Sequence, residues 1–292
     1  MAVVNTPVDG YNRALLGRYP PGSTFKVVTA AALLGGGLRP GDQVDCPKQA
    51  TVGGRVFGNF EDEVLGRIPF SSAFAHSCNT AFVQQAAERL DGDQLVAAAA
   101  RFGFGLDPSS GIPAVTSRVP PPSDRADLAA EAFGQGRVTA SPLQMATVAA
   151  TVAEGRWHQP HLVTGEAAEP GAGSGGSGGS GESGESGGPS TSAGADGSGS
   201  NDSPDPLDPK VATTLRTLMH QVVAEGTAAD AGLAANVAGK TGTAEFGTGD
   251  PLPTHAWFIG FRGDLAFAVV VEDGGVGGRV AAPAAARFLR GL

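Results

Sequence analysis

The chain has 292 residues, 41% of them hydrophobic and 17% charged, which suffices to bury one substantial core or two small ones. A net charge of -9 with no basic stripe argues against nucleic acid as a partner, because affinity for phosphate backbones comes from Lys and Arg patches. No apolar run reaches the roughly 18 residues of a membrane span, the start MAVVNTPVDG lacks the plan of a signal peptide, and two distant cysteines with five scattered histidines offer no metal-ligand spacing.

In chain order, helical apolar spacing is predicted over 23–35, 69–76, 79–90, 93–102, 125–133 and 141–154, giving a helical cluster in the first half. The stretch 171–203 is almost wholly Gly, Ser, Glu, Asp, Pro and Ala, with no large hydrophobic side chain to offset its ordering entropy. It reads as a disordered insertion between two parts of one domain, 1–170 and 204–292, with a linker between independent domains as the competing reading. Beyond it come a helix near 208–225, strands near 236–245, 256–261 and 265–272 separated by hairpin-length gaps, and a last helix near 282–290.

Three short motifs carry chemistry. Pro20-Pro21-Gly22 precedes Ser23-Thr24-Phe25-Lys26, so Ser23 opens a helix and Lys26 lies one turn on, on the same face. A serine hydroxyl is a weak nucleophile until a base takes its proton, and a desolvated lysine can be that base; the bland alternative is a serine cap followed by a solvated lysine. Ser77-Cys78-Asn79 joins two predicted helices, where a hydroxyl and an amide either face a cleft or serve as cap and turn residues. Lys240-Thr241-Gly242-Thr243 lies in a strand whose glycines let a substrate backbone approach as an added strand; an ordinary edge strand with a solvated lysine is the alternative. With only four lysines present, a chance KTG is expected roughly 0.04 times.

SxxK, SxN and KTG in this order resemble the active-site signature of penicillin-binding proteins and serine β-lactamases. The wider text PPGSTFK, SCNTAF, AFGQG with SPLQMA, GTA near Gly226, and GKTGTAEF resembles the monofunctional class B transpeptidases. The resemblance implies an α+β fold of the β-lactamase/transpeptidase type, with a central antiparallel sheet flanked by helices and an all-helical subdomain.

It also implies roles. Ser23 attacks the penultimate D-alanine carbonyl, Lys26 is the general base, Ser77 relays a proton, and Asn79 binds the substrate amide or fixes Lys26. Lys240, Thr241, Gly242 and Thr243 bind the substrate, Lys240 and Thr241 holding its terminal carboxylate, and the backbone N–H groups of Ser23 and Thr243 form the oxyanion hole. A disulfide between Cys46 and Cys78 would brace the SxN turn. No metal or organic cofactor is implied. The implied partners are peptidoglycan stem peptides, β-lactam antibiotics as covalent inhibitors and a glycan synthase, at the extracytoplasmic face of the cell envelope. A catalytically silent penicillin-binding module, a β-lactamase and a D,D-carboxypeptidase are the alternatives.

In the family about 35–50 residues of the domain precede the serine, whereas 22 do here. The chain is therefore expected to be N-terminally truncated, lacking a membrane anchor and the first strands and leaving the 265–272 strand at an exposed edge.

Overall fold

The computed structural model describes residues 5–7, 10–108, 111–162, 203–249 and 251–292. Apart from Ser203, the stretch expected as a disordered insertion lies outside the described residues. The fold is α+β. A short helix α1 (Arg13–Leu16) leads to a 3-10 turn, Gly22–Phe25, which runs directly into α2 (Lys26–Gly35). Helix α2 buries Val27, Val28, Ala30, Ala31 and Leu33, as suits a helix apolar on nearly every face.

Between α2 and α3 (Phe70–Ala75) the chain forms four short strands, β1 (Gln43–Cys46), β2 (Gln49–Val52), β3 (Arg55–Gly58) and β4 (Gly66–Pro69). They pair as two antiparallel ribbons, β1 with β4 and β2 with β3. The helical subdomain is therefore not made of helices alone. Four-residue strands are too short for apolar spacing to mark them; the readable signal was Gly53-Gly54, whose φ values of 57° and 79° form the two-residue hairpin turn that needs left-handed backbone at both positions.

Helices α4 (Asn79–Arg89), α5 (Gly92–Ala100), α6 (Arg125–Glu131), α7 (Pro142–Glu154) and α8 (Pro209–Ala224) follow. Their starts are chemically specified. Asp91 and Gln94 form a capping box at α5, Asp124 caps α6, and Ser141 and Asp208 cap α7 and α8 with proline at the first helical position, where its missing N–H costs nothing.

The main sheet is antiparallel, in the order β5 (Ala238–Glu245), β6 (Thr254–Arg262), β7 (Leu265–Val271), and α7, α8 and the last helix α9 (Ala281–Arg290) pack against it. Central β6 is buried almost throughout, whereas at edge strand β7 only Phe267 is buried and the rest is half-buried. One hydrophobic core runs through both halves of the chain, from Phe25, Phe74 and Phe82 to Leu215, Trp257 and Leu289.

Cys46 at the end of β1 and Cys78 before α4 are joined by a disulfide with Cα atoms 6.2 Å apart. Closing a loop of sequence separation 32 restricts the unfolded chain by about 3–4 kcal/mol in the chain-entropy model. Reduction in thermal melts is expected to lower the midpoint by about 5–8 °C; an unchanged midpoint would show that the bond contributes nothing.

Candidate active site

Ser23 sits in the 3-10 turn just ahead of α2. The turn is held from three sides. Gly22, at φ 53°, donates its N–H to Gly134 O at 2.9 Å. Thr24 Oγ1 donates back to Pro21 O at 2.7 Å, and Trp257 Nε1 of β6 donates to Pro20 O at 3.2 Å. Upstream, Tyr19 pairs with Ala140 as an isolated bridge and its hydroxyl donates to Glu272 Oε1 at 2.8 Å.

Lys26 is fully buried. Its Nζ donates to Ser77 O at 2.5 Å, to Ser77 Oγ at 3.2 Å and to Asn79 Oδ1 at 2.7 Å, and it lies 5.2 Å from the Phe82 ring centroid. Burial drives its pKa well below the ordinary lysine value, and the charge of Lys240 pushes the same way, against a small opposing pull from Glu63. Among the described residues no hydrogen bond from the Ser23 hydroxyl is found; the lysine is bound to the SxN segment instead.

Ser77 reaches Lys26 with both its carbonyl and its hydroxyl because its backbone is left-handed, at φ 62°, a conformation that non-glycine residues seldom adopt. Packing around it sustains the strain. Cys78 N–H donates to Ala73 O at 2.9 Å, Asn79 Nδ2 donates to Gly58 O at 3.1 Å, and Asn59 Oδ1 accepts from Thr80 N–H at 3.0 Å.

The third wall is β5, an edge strand whose outer side meets the nucleophile turn. A Cβ on Gly242 would lie 2.9 Å from Thr24 Cγ2 and 3.0 Å from Pro21 O, so only glycine permits this approach. Lys240 is fully buried: its Nζ donates to Thr241 O at 3.2 Å and lies 5.7 Å from the Phe74 ring centroid. Burial lowers its pKa to about 7. Its charge therefore acts from beneath the strand, on the face opposite the buried Thr241 side chain and the half-buried Thr243. Thr243 Oγ1 accepts from Gly277 N–H at 3.2 Å.

Sequence reasoning did not assign Thr227 to the site. Its hydroxyl lies 2.5 Å from that of Thr241, and its N–H donates to Ala75 O at 3.1 Å, tying the KTG strand to the end of α3 just before Ser77. Gly226 beside it has no room for a Cβ, which would lie 2.3 Å from Ala75 O; the Gly-Thr-Ala run was the available signal. His255 is packing rather than chemistry, stacked on Phe246 at 3.8 Å and edge-on to Tyr19. No group of three or more His, Cys, Asp or Glu that could hold a metal is found among the described residues.

A hydroxyl at a helix start, a desolvated amine on the same turn and an open strand edge with hydroxyls make a serine-nucleophile site suited to acyl transfer. A family model described as the penicillin-binding protein transpeptidase domain matches residues 2–290. The peptidoglycan D,D-transpeptidase PbpA of Mycolicibacterium smegmatis is 37% identical over 93% of this chain, and that of Mycobacterium tuberculosis is 36% identical over 93%. The chain spans about half the length of these curated relatives, 54% of each. Penicillin-binding protein A from M. tuberculosis, solved as its penicillin G acyl-enzyme complex, superposes with a TM-score of 0.74 at 30% identity, covering 97% of this chain and 63% of that one. The chain belongs to the penicillin-binding protein transpeptidase family.

Proposed function

We propose that this chain is the catalytic domain of a peptidoglycan D,D-transpeptidase with Ser23 as its nucleophile. The observation that carries the reading is the buried Lys26, held by Ser77 and Asn79 three residues beyond the serine. Once deprotonated, its amine takes the Ser23 Oγ proton as Oγ attacks the penultimate D-alanine carbonyl. The oxyanion that forms is stabilised by the N–H groups of Ser23 and Thr243, each such donor supplying about 3–4 kcal/mol. Collapse breaks the C–N bond, and the leaving D-alanine amine receives a proton relayed by Ser77. A second stem-peptide amine then attacks the ester and restores Ser23.

Thr241, Thr243 and the Lys240 charge beneath them hold the terminal carboxylate, with Thr227 fixing the Thr241 hydroxyl. β-Lactams acylate Ser23 in place of the stem peptide; the M. tuberculosis relative forms an acyl-enzyme complex with penicillin G. Work at the extracytoplasmic face, where a glycan synthase is the expected partner, accords in its compartment with the disulfide, which persists in oxidising surroundings. Among the described residues no helix is long and apolar enough to cross a membrane. The test is D-alanine release from a pentapeptide stem with an added amine acceptor. Cross-linked product supports transpeptidation, the free tetrapeptide alone supports a carboxypeptidase, and no release on folded protein supports a silent module.

A further inference from the structure

Outside the three motifs, one buried acid stands apart. Glu131, the last residue of α6, has a fully buried side chain, and neither carboxylate oxygen has a hydrogen-bond partner. A charged carboxylate in that condition carries a large desolvation cost. Arg137 faces it, with one guanidinium nitrogen 3.2 Å from Glu131 Oε1 but off a hydrogen-bonding angle. The same nitrogen donates to Pro121 O at 2.7 Å and lies 3.6 Å from Asp127 Oδ2. Asp127 is the other charge on α6 that acts on Glu131, and Arg55 of β3 acts in turn on Asp127.

The five residues that follow Glu131 hold the nucleophile. Glu131 O accepts from Gly134 N–H at 2.9 Å, and Gly134 O accepts from Gly22 N–H at 2.9 Å. Thr29, on α2 one turn beyond Lys26, donates its hydroxyl to Ala132 O at 2.6 Å. Loop 132–136 is thus bonded to the Ser23 turn on one side and to the Lys26 helix on the other, and Glu131 is its root.

We infer that Glu131 is a positioning residue for Ser23: while neutral it stays packed and loop 132–136 holds the nucleophile turn, and when ionised it strains toward solvent and Arg137 and loosens that hold. Burial raises its pKa to about 7, against the pull of Arg137, so the change falls near neutrality.

The inference rests on the acyl-transfer reading, and its test separates the two. Benzylpenicillin acylation rates are measured for wild type and Glu131→Gln between about pH 5.5 and 8.5. Lys26 and Lys240 titrate in both proteins, so their effects cancel in the ratio of rates. The ratio of variant to wild type is expected to be near one below about pH 6 and to rise about tenfold by the alkaline end. Arg137→Gln, which removes the facing cation and raises the Glu131 pKa further, should also exceed wild type just above neutrality and keeps the idea refutable if the glutamine variant folds poorly. Ratios that do not change with pH mean a merely structural glutamate and overturn the inference alone. A wild type that takes no penicillin at any pH overturns the acyl-transfer reading and this inference with it.

Discussion

Replacing Lys26 with alanine is expected to slow acylation by benzylpenicillin about 100- to 10,000-fold, the range for loss of a general base, while the protein stays folded. The fold tolerates the change because burial disfavours the lysine's charged form, and among the described residues no ion pair of Lys26 is lost with it. What disappears is the group that takes the Ser23 proton. The pH dependence gives an independent check. Burial, with the Lys240 charge adding to it, holds the Lys26 pKa well below the ordinary lysine range, and burial brings Lys240 to about 7. Acylation should therefore rise with pH as Lys26 becomes the free base, well below the ordinary lysine range, and fall as Lys240, at about 7, loses the charge beneath the carboxylate site. Lys26→Ala loses the rising limb. Stopped-flow acylation across the pH range reads both limbs; a variant within a few-fold of wild type would remove Lys26 from the mechanism.

Gly134→Ala should be nearly as damaging although residue 134 belongs to none of the three motifs. Its φ of 76° is left-handed, and a Cβ there would stand 2.1 Å from Gly22 O and 2.7 Å from Phe25 Cβ. Backbone cannot yield as a flexible side chain does, so the nucleophile turn must shift. A displacement of about 1 Å at a reacting group costs roughly 100-fold in rate. Gly105→Ala is the matched control. Gly105 is also left-handed, at φ 87°, but a Cβ there meets nothing within 4 Å. The control should lose about 1–2 kcal/mol of stability to backbone strain and keep its acylation rate. Equal losses of rate in the two variants would mean that strain rather than collision matters, and that the Gly134–Gly22 contact does not position Ser23.

Ser23, Lys26, Ser77, Asn79 and the KTG strand were legible in the sequence because each motif packs its chemistry into a few adjacent residues. Helix positions were legible from apolar spacing, whereas the caps at Asp91, Asp124, Ser141 and Asp208 emerge from the structure. What was hidden depends on contacts made across the fold. Nothing local in Ser77-Cys78-Asn79 tells that Ser77 is left-handed and therefore turns its carbonyl to Lys26. Thr227 reaches Thr241 only because Gly226 lets α8 pass against Ala75. Lys240 looks like a surface cation in an edge strand; the packing of Phe74 and the sheet places its amine underneath. Strands β1 and β4 pair across the intervening β2–β3 hairpin and are pinned by the disulfide and Asn59, which hydropathy over four residues cannot reveal. Glu131 reads as an ordinary helical acid until its burial is seen.

The most direct test of the central claim is intact-protein mass spectrometry after brief incubation with benzylpenicillin, on wild type and Ser23→Ala in parallel. The expected result is one stable penicillin adduct on wild type and none on Ser23→Ala. An adduct on both proteins, or none on folded wild type, would contradict Ser23 as the nucleophile.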